Sequence, residues 1–143
     1  MLLLDRCGMS SGNILVVEDD DTIRRLLMEY LKQHSYLHVE GARDGIEALH
    51  EISQRRYAVV VLDLMMPKMS GVDFLDSLNA LTSDPSVKSL ESPPSVIVIT
   101  AAPDAELPSV TISSRSPLVR EVFRKPLDVA GLAEAVERYL FRA

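Results

Sequence analysis

Five short apolar runs punctuate this chain, with helically spaced stretches between them. The runs are ILVVED from Ile14, YLHVE, YAVVVLD, SVIVIT and LVREVFRK, the last of which alternates more. A short β-branched run without polar alternation predicts a strand buried on both faces. Strands that alternate with amphipathic helices predict a parallel sheet covered by helices on both sides, with right-handed crossovers.

The intervening stretches supply those helices. Ile23, Leu26, Leu27, Tyr30 and Leu31 stand at spacings 0, 3, 4, 7 and 8, which predicts one apolar helix face. Asp21 or Thr22 is a natural N-cap for it. DGIEALHEISQRR predicts a second helix after an Asp44-Gly45 turn. A third follows Gly71 with Phe74, Leu75, Leu78 and Leu81, and a last one over 127–141 carries Leu132, Ala133, Val136 and Leu140. Two segments break the pattern. Residues 81–95 read as an extended Ser/Pro-rich loop. Residues 103–117 sit where a fourth helix belongs, yet Pro108 and the β-branched Val110, Thr111 and Ile112 predict a short or distorted one.

The 143 residues suit one domain, placed at 13–143, with 1–12 read as a disordered leader. No apolar run approaches the roughly 18 residues of a membrane span, so no membrane partner is expected. The net charge of −6 disfavours nucleic acid, which calls for a basic surface. The lone Cys7 excludes an internal disulfide and fits a reducing, cytoplasmic setting.

The apolar run over 59–62 ends on a single carboxylate, Asp63, before the loop LMMPKMSG. Burying such a group costs several kcal/mol unless something pairs with it. In an open parallel sheet, ligands bind outside the carboxyl ends of the strands. Polar groups collect at those ends here: Glu18 and Asp19 after strand one, Asp63 at strand three, Thr100 at strand four and Lys125 at strand five. Three gathered carboxylates repel one another and need a cation, either Lys125 or a divalent metal. An oxygen-only donor set favours Mg²⁺, which keeps several waters and shares its shell with phosphate oxygens. A metal, a lysine and a hydroxyl around a carboxylate suit phosphoryl transfer, with Asp63 as the nucleophile. Each residue alone has a plainer reading. EDDD would be an acid cluster favoured at a helix start, and an Asp at a strand end would be a turn residue. Their joint placement on one rim of the sheet decides for a functional reading.

ILVVEDDD, VVVLDLMMPKMSG, VIVITA and FRKPL, in that order, resemble the response-regulator receiver domains of two-component signalling over roughly residues 13–141. The resemblance implies a flavodoxin-like three-layer sandwich with a doubly wound five-stranded sheet of order 2-1-3-4-5. It implies that Asp63 is the phosphoacceptor, that Asp19 binds Mg²⁺ directly with Glu18 helping through water, and that Met65 offers its backbone carbonyl to the metal. Thr100 resembles the hydroxyl that moves onto the phosphoryl group, and Lys125 the lysine that contacts it. Lys125-Pro126 would be a cis bond, and the small Ala101 would leave room for the phosphoryl group. The donor would be a sensor histidine kinase, a histidine phosphotransfer protein or a small acyl phosphate. Output would pass to a downstream protein by contact, with no enzymatic turnover beyond slow self-dephosphorylation. A stand-alone receiver and a piece of a longer hybrid kinase both stay open.

Two departures bear on output. The family's switch aromatic lies three residues before the lysine, where this chain has Val122. Phe123 is adjacent, but side chains alternate across a strand, so it faces the other way. The stretch from Thr100 to Lys125 is also a few residues longer than usual and holds Pro108 and Pro117. The alternative reading is therefore an interaction module of receiver shape with an altered or constitutive output. A haloacid-dehalogenase-type phosphatase would need a second aspartate where Met65 stands. A flavodoxin would need a Ser/Thr/Gly phosphate loop where this chain has acids. His34, His38 and His50 read as surface residues, and Met65, Met66 and Met69 as loop packing. Arg115, Arg120, Arg124, Arg138 and Arg142 stand among six acids from Asp104 onward, which reads as a mixed solvated face.

Overall fold

The computed structural model of the protein describes residues 13–34, 38–66 and 69–140. The leader read over 1–12, the start of the YLHVE run, Pro67, Lys68 and residues 141–143 lie outside the described residues. The order along the chain is β1 (Asn13–Val17), α1 (Asp21–His34), β2 (His38–Ala42), α2 (Gly45–Gln54), β3 (Val59–Asp63) and α3 (Gly71–Thr82). A 3-10 turn (Lys88–Leu90) follows, then β4 (Ser95–Thr100), α4 (Ser109–Arg115), β5 (Val119–Arg124) and α5 (Val129–Leu140). All strands pair in parallel, in the order β2-β1-β3-β4-β5. This is the doubly wound sheet expected from the alternation and the resemblance. The order reverses between β1 and β3, and such a switch point opens a crevice at the carboxyl ends of those strands.

Alternation along each strand divides the core in two. Leu15, Val17, Val60, Leu62, Val96 and Val98 face one side, where α2, α3 and α4 add Ile52, Phe74, Leu75, Leu78 and Ile112. Ile14, Val16, Val59, Val61, Ile97 and Ile99 face the other, covered by Leu27 and Leu31 of α1 and Leu132 and Val136 of α5. Each fully buried side chain of this size stabilises the fold by about 1.5–3 kcal/mol.

Helix ends follow side-chain chemistry. Asp44 caps α2 by accepting from the Glu47 amide, and Ser70 caps α3 by accepting from the Asp73 amide. At α1 the cap is Asp20, whose Oδ1 accepts from the Ile23 amide at 2.9 Å, so it stands one residue before the predicted Asp21 and two before Thr22. The last helix begins at Val129, two residues later than predicted, with the Asp128 carboxylate accepting from the Gly131 amide. The predicted apolar face of α1 is divided. Leu27 and Leu31 are buried, but Leu26 is 64% exposed and Ile23 36%. Successive helical residues are about 100° apart, and α1 is turned so that Leu27 meets the sheet while Leu26 lies to the solvent side.

Pro108 takes the position immediately before α4, where its missing N–H costs nothing. The helix that follows has seven residues and carries all three β-branched positions. In the preceding connection, Leu90 of the 3-10 turn is buried, and the Ser89 hydroxyl donates to the Ile52 carbonyl at 2.6 Å. No described helix is long and apolar enough to cross a membrane.

Candidate functional site

β1 delivers the first acids. The Glu18 amide still donates to the Ala42 carbonyl of β2 at 3.0 Å, which keeps this residue inside the sheet. Its carbonyl accepts from Arg24 Nη1 at 2.8 Å. The Glu18 side chain is therefore held in the interior, with the residue 2% exposed. One of its oxygens, Oε2, accepts from the Asp20 amide at 3.2 Å; the other, Oε1, is buried with no hydrogen-bond partner. Asp19 follows at the exposed rim.

β3 delivers Asp63, also 2% exposed. Its Oδ1 accepts from the Met65 amide at 3.0 Å. Gly71 closes the loop by donating to the Leu64 carbonyl at 3.0 Å. A Cβ at position 71 would lie 2.6 Å from Leu64 Cα and 2.9 Å from the Asp63 carbonyl oxygen, so a glycine is required by close approach. Carboxylate oxygens of Glu18, Asp19 and Asp63 lie within 4.8 Å of one another. The predicted trio is thus gathered in one cluster, the one such group of metal-ligating side chains among the described residues.

β5 delivers the cation. Lys125 Nζ lies 3.7 Å from Asp63 Oδ2 and 3.8 Å from Glu18 Oε1. Those separations permit attraction but are too long for hydrogen bonds. One ammonium beside a cluster of three carboxylates leaves negative charge in excess. Burial, reinforced by the neighbouring Asp63 carboxylate, pushes the Glu18 carboxyl up to about 7. A cluster of three carboxylates, hard oxygen donors and the orphaned Glu18 Oε1 together fit a divalent cation of the Mg²⁺ kind.

Thr100 ends β4, fully buried. Its carbonyl accepts from the Lys125 amide at 2.9 Å, so the hydroxyl and the ammonium rise from paired backbone. Its Oγ1 accepts from the Ala102 amide at 3.1 Å. The Lys125-Pro126 bond is cis, as the resemblance implies. Met65 comes to the cluster through its amide, while the residue is 60% exposed. Val122 and Phe123 face opposite sides of the sheet, each partly buried: Val122 packs with the α3 and α4 side and Phe123 with the α1 and α5 side.

Sequence reasoning missed the residues that shape the site from outside it. Arg24 fastens the Glu18 carbonyl, Ala102 holds the Thr100 hydroxyl, and Arg124 grips the loop after Thr100. Strand parity places Arg124 on the face opposite Lys125, but only the folded loop reveals its partners.

A family model described as "Response regulator receiver domain" matches residues 14–137. The transcriptional regulatory protein SrrA of Staphylococcus aureus is 38% identical over 77 residues, which is 54% of this chain and 32% of that protein. The chain therefore aligns with about a third of that curated relative's length. The receiver domain of the Francisella response regulator 1452 is 26% identical with a TM-score of 0.72, over 90% of this chain and 96% of that one. The chemotaxis protein CheY4 of Vibrio cholerae is 22% identical and shares the fold with a TM-score of 0.69, over 90% and 98% of the two chains. With the family match spanning most of the sequence and the acid cluster lying at the switch point of the sheet, the chain belongs to the response regulator receiver domain family.

Proposed function

We propose that the protein accepts a phosphoryl group on Asp63 and signals by protein contact. The observation that carries this reading is a nearly fully buried Asp63 with Lys125 Nζ at 3.7 Å and two further carboxylates in the same cluster. Strand ends hold these groups in place before any donor arrives, and positioning of this kind lowers the barrier to transfer.

An Asp63 oxygen attacks the phosphorus of a donor phosphohistidine or acyl phosphate. A new P–O bond forms, the donor P–N or P–O bond breaks, and the leaving imidazole or carboxylate keeps the electron pair. The product is a mixed anhydride at Asp63. Lys125 Nζ faces Asp63 Oδ2 and neutralises charge on the incoming oxygens. The Thr100 hydroxyl leaves Ala102 to donate to a phosphoryl oxygen. The small Ala101 leaves space beside it. Hydrolysis reverses the change: water attacks phosphorus, and Asp63 regains its carboxylate as inorganic phosphate departs.

Asp19 and Asp63 would hold Mg²⁺ directly, with Glu18 through water and Met65 through its carbonyl. The ion would supply positive charge against the phosphoryl oxygens. The phosphoryl donor is a sensor histidine kinase or a histidine phosphotransfer protein, and the setting is cytoplasmic. Acetyl phosphate tests the reading without a cognate kinase. Incubation with Mg²⁺ adds one phosphoryl group per chain by intact-protein mass, and Asp63→Ala or chelation of the metal abolishes it. Equal labelling of wild type and Asp63→Ala would sink the assignment.

A further inference from the structure

We infer that Arg124 is a positioning residue that holds the loop after Thr100 in its resting place and so couples the acid pocket to α4. Arg124 ends β5 and Lys125 follows it, and successive residues of extended chain point to opposite sides, so Lys125 reaches the carboxylates while Arg124 reaches the loop at 102–109. Its Nη1 donates to the Ala102 carbonyl at 2.7 Å. Its Nη2 is ringed by the Leu107 carbonyl at 2.7 Å, Asp104 Oδ1 at 3.0 Å and Ser109 Oγ at 3.0 Å. One guanidinium thus spans the loop from its first turn to the first residue of α4.

Ala102 is the point where two contacts meet. Its amide donates to the Thr100 hydroxyl, and its carbonyl accepts from Arg124. A shift of Thr100 Oγ1 toward an anion on Asp63 stretches the first contact and pulls on the second. The pull reaches Ser109 through the same guanidinium. At seven residues, α4 has too few turns to hold itself in place, so its ties decide where it sits. Its far end is fastened by Asn79, which donates to the Arg115 carbonyl at 3.0 Å and accepts from the Ser116 hydroxyl at 2.8 Å. Between α3 and α4 lies a cavity of about 210 Å³, lined by Val72, Leu75, Leu107, Thr111, Ile112 and Arg115. That space leaves α4 room to shift against α3.

The inference rests on Asp63 taking an anionic group, and the experiment separates the two claims. Beryllium fluoride with Mg²⁺ serves as the phosphoryl stand-in, titrated while the backbone amides of Ser109–Arg115 are followed by NMR. Wild type binds, and those amides shift. An interaction present only in the resting arrangement opposes binding, so its loss raises affinity. Arg124→Ala therefore binds about fivefold more tightly or better, in the range of ordinary coupling between sites, and its α4 amides lose most of their response. Arg124→Lys keeps the charge but cannot span four acceptors, and it behaves like the alanine variant. That variant also stands in should Arg124→Ala fail to fold. A merely structural role would lower the melting temperature and leave both readouts alone. An unchanged affinity or an unchanged α4 response in the folded variants overturns the inference while leaving the phosphoacceptor reading intact. Failure of wild type to bind overturns both.

Discussion

With divalent cations removed, the protein will lose stability as the pH rises from about 5 to about 8, against the trend that paired carboxylates give. The cause is Glu18, whose carboxyl is pushed from 4.5 up to about 7 by burial and by Asp63 beside it. The folded state therefore holds a proton that the unfolded chain has released. The stabilisation is complete below the unfolded value of 4.5 and is lost as the pH climbs through about 7. Each unit corresponds to about 1.4 kcal/mol, so the loss is of order 3 kcal/mol, or roughly 10 °C in Tm for a chain of this length. Asp21, held low by the Arg24 guanidinium, and Asp84, held low by Ser86, act in the opposite sense, but below their ordinary 3.8. Neither of these two acts in the window between 4.5 and about 7, where Glu18 does. Urea unfolding across this range in a chelating buffer measures the slope, and Glu18→Gln flattens it because the amide carries no proton to lose. Mg²⁺ reverses the wild-type trend, since it binds the deprotonated carboxylates and stabilises most where Glu18 is ionised. Parallel slopes for wild type and Glu18→Gln would refute the reasoning.

Other perturbations probe the frame around the site. Gly71→Ala forces a Cβ against the backbone of Leu64 and lowers stability by about 1–3 kcal/mol in urea unfolding, with slower labelling of Asp63 because the loop that follows it must shift. Phe74→Ala empties a fully buried position between α3 and the sheet and costs about 3–5 kcal/mol, read as a lower denaturation midpoint at constant slope. Asp20→Ala removes the cap of α1 and the acceptor for the Ile23 amide, for about 1 kcal/mol by the same assay.

Much of this was legible in the residues because two physical signals coincide. β-branched runs without alternation mark strands buried on both faces, and the ends of the three interior strands and of the edge strand β5 carry polar groups that a core would reject. Glu18, Asp63, Thr100 and Lys125 stand out for that reason, and the structure gathers Glu18, Asp19 and Asp63 in one cluster with Lys125 beside Glu18 and Asp63. The rest depended on geometry that spacing does not encode. Asp19, Asp20 and Asp21 are chemically alike, so only the turn after β1 selects Asp20 as the cap. Helical periodicity grouped Leu26 with Leu27, although the sheet covers only one of them. Arg124 read as part of a solvated face and Arg24 gave no signal, because their acceptors are backbone carbonyls brought near by folding.

The central claim is chemical and concerns one oxygen on one side chain. Borohydride converts the acyl phosphate of an aspartate to homoserine, which peptide mass spectrometry locates along the chain. After acetyl phosphate and Mg²⁺, the account predicts homoserine at position 63 and nowhere else, and none when the metal is chelated. Homoserine at another carboxylate, or a phosphorylated chain with Asp63 unchanged, would contradict it.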